Sequence, residues 1–457
     1  MALIDKTAIA IRQKTAVKTY DNFDVYQPLN GSAERAQKGG TLIGSQSKNV
    51  LFGNGISAEI AEFDFPYGKE QAADSTLDVC TFFSYGERGE DIGYIRMNGD
   101  VYTYDREQEK YVRANGVSFI SPCVVPIEDK NGFEIVAVVS LANVSVFDGT
   151  EWTIVRQDNL KGLGCFAGER LFFLTRDNRL FYSAPLDFCN FAESVDEGGY
   201  LDLRLGLGEP VGLIGLDTSV LIIRENGLEK LTLNGTPANF VYRELPYKGG
   251  KIFTKFSVKG NGGAYFVAAD GIYFCDGQKA EKVYGGPLEI QETDTASYGV
   301  FHDGKLYFNF FDCYANGRKY FCFDTLSGKG GFISPLVGLT NIKGTLYALR
   351  GGKFKKIVFS LYSAKAVGNQ FKEENFFVAD GVDFGVLGEK TIEKIALKGK
   401  GKATVEISSN RGKKRVEFTL SEEKEEFVRL KGETFLIRFD LDGGALIRSV
   451  KFTLKTL

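Results

Sequence analysis

The stretch GGAYFVAADGIYFCDG, Gly262–Gly277, decides the fold, because a short apolar strand runs into an Asp-Gly pair and an aromatic-rich strand follows. Asx-Gly pairs favour two-residue turns with φ > 0, which join antiparallel strands. Altered copies of the phrase are NGDVYTYD (Asn98–Asp105), NVSVFDGTEW (Asn143–Trp152), DNRLFYSAP (Asp177–Pro185), ENGLEKLTLNG (Glu225–Gly235), HDGKLYFNFFD (His302–Asp312) and the weaker KGTLYALRGGK (Lys343–Lys353). Repeated hairpins of this kind predict an array of small sheets.

The spacing of the phrase indicates the kind of array. The turn positions lie near 99, 148, 178, 226, 270, 303 and 344, so the intervals are 49, 30, 48, 44, 33 and 41. Their mean is close to the ~40–45 residues of a four-stranded propeller blade. We therefore predict an all-β protein with a β-propeller of six to seven blades over residues 76–362. A pair of β-sandwiches is the alternative, since sandwiches also have short, regularly spaced strands.

Apolar runs precede several copies of the phrase. They are Val136–Leu141, Leu171–Leu174, Val220–Ile223 and Ala264–Val267. A run that is apolar on both faces must be covered on both sides. We predict that these runs are the buried inner strands of the blades.

The two ends of the chain lack the phrase. Residues 1–75 are predicted to be an N-terminal, loop-rich arm outside the main body that contributes one strand, and Gly31–Gly55 has no sustained period. Residues 363–375 are polar and are predicted to be a linker. Residues 376–457 contain six short strands with period-2 alternation, as in Val416, Phe418 and Leu420. This pattern predicts a small C-terminal antiparallel β-sandwich.

Composition limits the classes of function. The 457 residues carry a net charge of −3 and no long basic run, so no broad footprint for duplex DNA is visible. The start of the chain lacks the apolar segment of a signal peptide, and no apolar run approaches the ~20 residues that span a bilayer. We expect a protein without a membrane anchor.

The seven cysteines are scattered and never form CxxC. Several lie in apolar strands, where cysteine acts as a small hydrophobe, so we expect assembly in a reducing cytosol. They are Cys80, Cys123, Cys165, Cys189, Cys275, Cys313 and Cys322.

Residues that could carry chemistry are few. His302 is the single histidine, it precedes an Asp-Gly turn, and we expect it on the surface. The Gly-rich segments Leu205–Gly212 and Lys259–Phe266 do not lead from a strand into a helix, so they are predicted to be inter-strand turns. DLDGG at Asp440–Gly444 lacks the further carboxylates of a calcium loop and is predicted to be a hairpin turn.

Carboxylates are candidate catalytic groups, because some propellers are glycosidases that use paired acidic residues. Glu289, Glu292 and Asp294 lie together in LEIQETDTAS, and Asp312 and Asp324 follow later strands. Sequence spacing alone cannot place two of them at the ~5–9 Å that the mechanism needs. The leading prediction is therefore a non-enzymatic protein with no catalytic, cofactor-binding or metal-binding residues.

The middle of the chain resembles tail and connector proteins of tailed bacteriophages that contain propeller-like domains. The resemblance is carried by the order of phrases over about residues 165–290. These phrases are Arg170–Phe191, Asp217–Gly235, the turn-rich Pro246–Gly250 and Gly262–Gly277, and Lys18–Gln27 resembles the N-terminal arm of such proteins.

The resemblance implies a virion component without a catalytic role, found in the tail and assembled in the host cytoplasm. Such a protein is expected to form a homo-oligomeric ring in the hub, collar or nozzle, beside neighbouring tail or portal proteins. DNA would pass through or near the ring, and a mildly negative wall would not trap it. A receptor- or glycan-binding adhesin that binds through the C-terminal sandwich is the first alternative, and a propeller glycoside hydrolase is the second.

Overall fold

The protein was analysed as a computed structural model that describes residues 16–20, 24–26, 41–48, 50–53, 55–57, 61–64, 79–108, 110–128, 133–193, 198–253, 256–285, 298–312, 317–333, 337–342, 344–350, 353–358 and 374–456. These residues form 39 β-strands and one 3₁₀ turn, Pro237–Asn239. The all-β prediction is confirmed. The strands divide into two compact units, one formed by the strands between residues 61 and 358 and the other by the strands at the two ends.

The end strands are β1 (Ala16–Tyr20), β2 (Asp24–Tyr26), β3 (Thr41–Lys48), β4 (Leu51–Gly53), β5 (Gly55–Ser57), then β34 (Phe376–Val382), β35 (Lys390–Ser409), β36 (Gly412–Leu420), β37 (Glu423–Gly432), β38 (Phe435–Leu441) and β39 (Leu446–Thr456). The other unit contains β6 (Ala61–Asp64), β7 (Val79–Glu87), β8 (Asp91–Arg96), β9 (Val101–Asp105), β10 (Lys110–Arg113), β11 (Cys123–Glu128), β12 (Phe133–Val139), β13 (Asn143–Phe147), β14 (Trp152–Gln157), β15 (Leu160–Ala167), β16 (Arg170–Thr175), β17 (Arg179–Tyr182), β18 (Gly199–Asp202), β19 (Pro210–Leu216), β20 (Ser219–Arg224), β21 (Gly227–Thr232), β22 (Val241–Leu245), β23 (Val258–Gly260), β24 (Gly263–Ala268), β25 (Gly271–Cys275), β26 (Ala280–Gly285), β27 (Tyr298–His302), β28 (Lys305–Asp312), β29 (Gly317–Asp324), β30 (Lys329–Phe332), β31 (Val337–Ile342), β32 (Thr345–Arg350) and β33 (Lys353–Val358).

The strands from β6 to β33 form a β-propeller, as predicted. Among the described residues they make seven antiparallel blades of four strands: β7–β10, β11–β14, β15–β18, β19–β22, β23–β26, β27–β30, and β31–β33 with β6. The first strand of each blade contacts the first strand of the next, and β31 contacts β7, so the ring is closed. Blades 1 and 2 share one sheet because the end of β7 also pairs with the start of β12.

The last blade takes its fourth strand from the other end of the propeller segment. Ala61–Asp64 pairs antiparallel with Lys355–Val358, so backbone hydrogen bonds join residues that precede blade 1 to blade 7. The same chain continues from β6 into β7, so it links the last blade to the first.

The four apolar runs predicted as inner strands lie in β12, β16, β20 and β24, which are the second strands of their blades. Their predicted burial is confirmed, but they are not the strands closest to the axis. Every residue of β16, β20 and β24 is buried, because neighbouring blades cover both faces of a second strand. The innermost strands are the first strands. They contain fewer apolar side chains and more glycines, as in PVGLIGL of β19.

The turns of the repeated phrase are built by their Asx side chains. Asp148 Oδ1 accepts hydrogen bonds from the backbone N–H groups of Thr150 and Glu151, at 2.8 and 2.9 Å. Asp276 does the same at the turn between the third and fourth strands of blade 5. Positive φ at both central residues occurs at Asp303 and Gly304, with values of 45° and 70°. The repeated polar residues thus hold turns.

The unequal intervals between copies of the repeated phrase have a structural cause. Its turn joins the second and third strands in blades 1, 3, 4 and 5, the third and fourth in blade 2, and the first and second in blades 6 and 7. The first strands begin at residues 79, 123, 160, 210, 258, 298 and 337, so the true blade intervals are 44, 37, 50, 48, 40 and 39.

The end strands form a second unit, here called the C-terminal unit, around one long strand; its strand pairs are antiparallel except for the parallel pair β2 and β3. The first half of β35 pairs with β37 and β39, and its second half pairs with β36 and β38. Both halves contribute to one hydrophobic core, which includes Ile395, Leu397, Val405, Ile407 and Phe439. The predicted C-terminal sandwich is therefore a curled sheet whose two layers share β35.

The predicted N-terminal arm is divided between the two units. Strand β1 pairs with β39, β3 with β34, and β5 with β39, while β6 completes the propeller. The arm thus supplies strands to both units, where one strand was expected. The predicted boundaries at 75/76 and 362/363 lie outside the described residues and stay predictions. The turn at Asp442–Gly444 joins β38 to β39, which do not pair with each other, so the predicted hairpin there is wrong.

Candidate functional site

The candidate site of the propeller is its central channel. All seven first strands line one cavity of about 610 Å³. The lining residues are Thr81–Ser84, Pro122–Pro126, Gly162–Phe166, Leu213–Gly215, Ser257–Lys259, Gly299–Phe301 and Leu339–Ile342. Because each blade contributes its first strand, this cavity lies on the axis of the propeller.

Glycines allow the first strands to approach one another along this axis. A Cβ added to Gly215 would lie 1.9 Å from the carbonyl oxygen of Phe166 in the preceding blade. A Cβ on Gly164 would lie 2.4 Å from a methyl carbon of Val139, and one on Gly212 would lie 2.2 Å from Ser257 Oγ. Glycine inside a strand commonly marks such a close backbone approach. Sequence reasoning missed this signal, although LKGLGCFA and PVGLIGL both carry it.

The polar groups of the channel are few and weakly charged. Lys259 Nζ lies 3.2 Å from Asp217 Oδ1, and both side chains are largely exposed, so the pair contributes only ~0–1 kcal/mol. Cys123 Sγ donates to the carbonyl oxygen of Gly164 at 3.4 Å. Burial, and then the neighbouring Cys123, raises the pKa of the Cys165 thiol. A thiol with a raised pKa stays protonated and is a poor nucleophile.

The predicted carboxylates do not come together among the described residues. Glu289, Glu292 and Asp294 lie outside them, as does the side chain of Asp312. Asp324 Oδ1 accepts a hydrogen bond from the backbone N–H of Leu326 at 2.9 Å, which makes it a turn residue. The hydrolase alternative thus stays a prediction that rests on Glu289, Glu292 and Asp294.

His302 lies at the end of β27 and is half-buried, so part of the side chain is covered and part is exposed. Burial lowers the pKa of the imidazole, although Asp303 and a hydrogen bond with Asn341 oppose this shift. Asn341 belongs to β31 of the next blade, and its Nδ2 donates to the carbonyl oxygen of Phe301 at 2.8 Å. The histidine therefore lies where blades 6 and 7 meet.

A buried ion pair in blade 4 was also missed. Arg224 and Glu229 are 1% and 3% exposed, and Arg224 Nε donates to Glu229 Oε2. The same guanidinium donates to the carbonyl oxygens of Arg204 and Gly208, at 2.7 and 3.0 Å. It thus fixes residues 205–209, which connect β18 to β19, whereas the last three residues of the predicted turn Leu205–Gly212 belong to β19. The sequence signal was a charged pair inside otherwise apolar strands.

The cysteines and possible metal ligands show no arrangement for chemistry within the described residues. Cys165, Cys275 and Cys322 are buried, as expected of small hydrophobic residues in strands. Within the described ranges, no three His, Cys, Asp or Glu side chains are grouped as a metal site would require. In the same ranges, no helix is long and apolar enough to cross a membrane.

Comparison with known proteins assigns no family to the chain. No family model and no curated protein matches the chain. The solved structure of U3-55K is similar at 10% identity and a TM-score of 0.40, over 66% of this chain and 98% of that one. The WD40 repeats of RRP9 match at 10% and 0.41, over 67% and 99%, and the computationally designed Ika8 protein at 11% and 0.37, over 62% and 96%. The strand pairing itself defines the chain as a β-propeller protein with an additional antiparallel unit.

Proposed function

We propose that this chain is a non-enzymatic structural protein of a bacteriophage tail. It acts as a component of a hub, collar or nozzle ring and makes assembly contacts with neighbouring tail or portal proteins. Its place is the virion tail, and assembly takes place in the host cytoplasm. DNA passes near it without sequence-specific contact.

The observation that carries this proposal is the use made of the repeated polar residues. Asp148, Asp276 and Asp324 each accept backbone N–H hydrogen bonds within their own turns. Side chains committed to turns supply a repeated scaffold and leave few groups for catalysis, which favours a structural role.

The family part of the proposal rests on the phage-tail resemblance. Its phrases in Arg170–Phe191, Asp217–Gly235 and Gly262–Gly277 fall on the second and third strands of three consecutive blades. The order of phrases is therefore an order of whole structural units. The propeller segment is connected at both of its ends to strands of the other unit. Two covalent connections suit a structural protein that bears mechanical load.

The test is to find the protein in particles and to measure its assembly. Mass photometry of the full chain should show a discrete oligomer with a mass that is a multiple of 50.5 kDa. Antibodies against the chain should label one end or one ring of purified tails in electron micrographs. A protein that stays monomeric and is absent from purified particles would refute the proposal.

The adhesin alternative is supported by one surface residue. Phe427 on β37 is 54% exposed, and Lys394 Nζ and Arg429 Cζ lie 4.7 and 5.0 Å from the centre of its ring. Exposed aromatic rings are common in binding surfaces. A glycan array probed with the full chain and with Phe427→Ala tests this function. The full chain is required because β1, β3 and β5 belong to the same unit as β37.

A further inference from the structure

The outer face of the C-terminal unit carries a row of two lysines around a threonine. Thr391 of β35 pairs with Lys431 of β37 on one side and with Lys455 of β39 on the other. Residues directly opposite one another in an antiparallel sheet lie on the same face. Strands are ~4.8 Å apart, so the two lysine Cα atoms are ~10 Å apart, and both side chains reach the space above Thr391.

Arg429 is brought to this row by an irregularity in the sheet. Ile392 pairs with Leu430 and Lys394 pairs with Phe427, so Glu393 alone lies opposite Val428 and Arg429. Arg429 has a φ of 55°, which is a left-handed conformation that non-glycine residues adopt at a cost. Bulges of this kind redirect a side chain and are frequent beside functional sites.

These residues line a pocket of about 290 Å³ whose lining is Glu389, Lys390, Thr391, Glu393, Arg429, Lys431 and Lys455. Four of its side chains are cationic and two are carboxylates, which gives a net charge of +2. Glu389 is bound by Arg411 at 3.0 Å, outside the pocket lining. Lys390 is 2% exposed and donates to the carbonyl oxygens of Val386 and Glu433.

Three exposed cations are left available to a ligand. Within the described part of the chain, Arg429, Lys431 and Lys455 have no carboxylate partner within 4 Å. Like charges held close together repel one another, and an anion between them relieves that repulsion. The Thr391 hydroxyl lies between the two lysines as a neutral donor.

We propose that this pocket binds a phosphate group, carried by a small organic molecule or free. A phosphate monoester has a charge of about −1.5 to −2 near neutral pH, which matches the net charge of the pocket. Lys431 and Lys455 contact it from two sides, Arg429 supplies the planar guanidinium that suits phosphate oxygens, and Thr391 donates a hydroxyl. The exposed ring of Phe427 lies beside Arg429 and is available to an organic group on the phosphate. This binding site is independent of the proposed role in a phage tail.

Titration calorimetry of the full chain at low ionic strength tests the proposal, with inorganic phosphate and phenyl phosphate as probes. Saturable binding should weaken about tenfold in Lys431→Gln and in Lys455→Gln, the loss expected for one charge-assisted contact. Lys414→Gln is the matched control, because Lys414 is an exposed lysine of the same unit outside the pocket. Tighter binding of phenyl phosphate would identify an organic monoester as the ligand, and equal binding would identify free phosphate.

Two further measurements separate a built site from general surface charge. Affinity should fall as the pH drops from about 7.5 to about 5.5, because the second phosphate pKa is ~6. Arg429→Gly should weaken binding and raise the melting temperature, because glycine accepts a φ of 55° without strain. Absence of binding to both probes, or an equal loss in Lys414→Gln, would overturn the proposal.

Discussion

The propeller and the C-terminal unit are both built mainly from antiparallel pairs, but their strands pair over very different distances along the chain. In the propeller most strands pair with their neighbours in sequence, and the exceptions are β6 with β33 and the end of β7 with the start of β12. In the C-terminal unit, β35 pairs with four different strands, and Ala16 pairs with Thr456. Local pairing repeats a small unit, whereas non-local pairing builds one core from both ends of the chain.

The two units also differ in the residues that allow their strands to pack closely. The propeller relies on glycines near the axis, and apart from blades 1 and 2, which share a sheet, its blades are separate sheets. The C-terminal unit relies on alternating side chains along one shared strand of 20 residues. We therefore expect the destabilisation caused by a substitution to remain local in the propeller, except at the axis and at the pairing of β6 with β33. In the C-terminal unit we expect it to spread.

The largest effect is expected from a cavity in the shared core. Ile407 is fully buried in the second half of β35, so Ile407→Ala should lower the free energy of unfolding by about 4 kcal/mol. Because both halves share that core, hydrogen exchange should accelerate in β36 and in β37 together. Exchange that accelerates in β36 alone would show that the two halves are separate cores.

A slightly smaller effect is expected at the propeller axis. Gly215→Val places a Cβ against the Phe166 carbonyl, with no side chain able to move aside, and should cost about 3 kcal/mol in thermal or urea unfolding. Gly285→Ala is the control, since nothing lies within 4 Å of a Cβ there and its φ is not positive. Similar costs for both would mean that the close approach at Gly215 is relieved by backbone movement.

The closure by β6 gives a third comparison. Proline cannot donate to a ladder, and the N–H groups of consecutive strand residues face opposite sides. One of the two variants Glu62→Pro and Phe63→Pro removes a backbone hydrogen bond to β33, and it should lower the free energy of unfolding by about 2 kcal/mol. The other variant should lower it less. Protease cutting within blade 7 would report an opened ring, and equal stability of both variants would contradict closure by this strand.

The smallest effect is expected from pH at the contact of blades 6 and 7. Burial lowers the pKa of His302 in the folded state, so the unfolded state binds the proton first as the pH falls below about 6.5. Stability should decrease from about pH 7.5 to about pH 5.5, and His302→Gln should remove most of that slope. The chain has one histidine, which makes the assignment unambiguous. An unchanged slope in the variant would assign the effect to other groups.

The sequence predicted the propeller because its turns are local. An Asx residue needs only its next two or three neighbours to form a turn, as Asp148 and Asp276 do. The alternation in Val416–Leu420 likewise predicted antiparallel strands, since period-2 burial follows from backbone geometry. The blade count was left at six to seven because the turn of the phrase occupies different corners of different blades.

The candidate sites were harder to predict than the fold. Burial of the second strands gave no sign that another strand lay closer to the axis, so Gly215 and Gly164 were not recognised as channel residues. The cations of the phosphate pocket are far apart in sequence, at 429, 431 and 455, and only register brings them together. The partner of His302, Asn341, belongs to the next blade and is 39 positions away in the sequence.

By itself, the sequence determined that this protein consists of hairpins with aromatic strands, repeated often enough to form blades, with an alternating sheet at the end. These properties depend on neighbouring residues, which the sequence displays directly. Tertiary structure decided that seven blades close through β6, that glycines line the axis, and that β1, β3 and β5 join the C-terminal sheet. Those features depend on pairing between distant residues, which is fixed by packing and register and not by local preference.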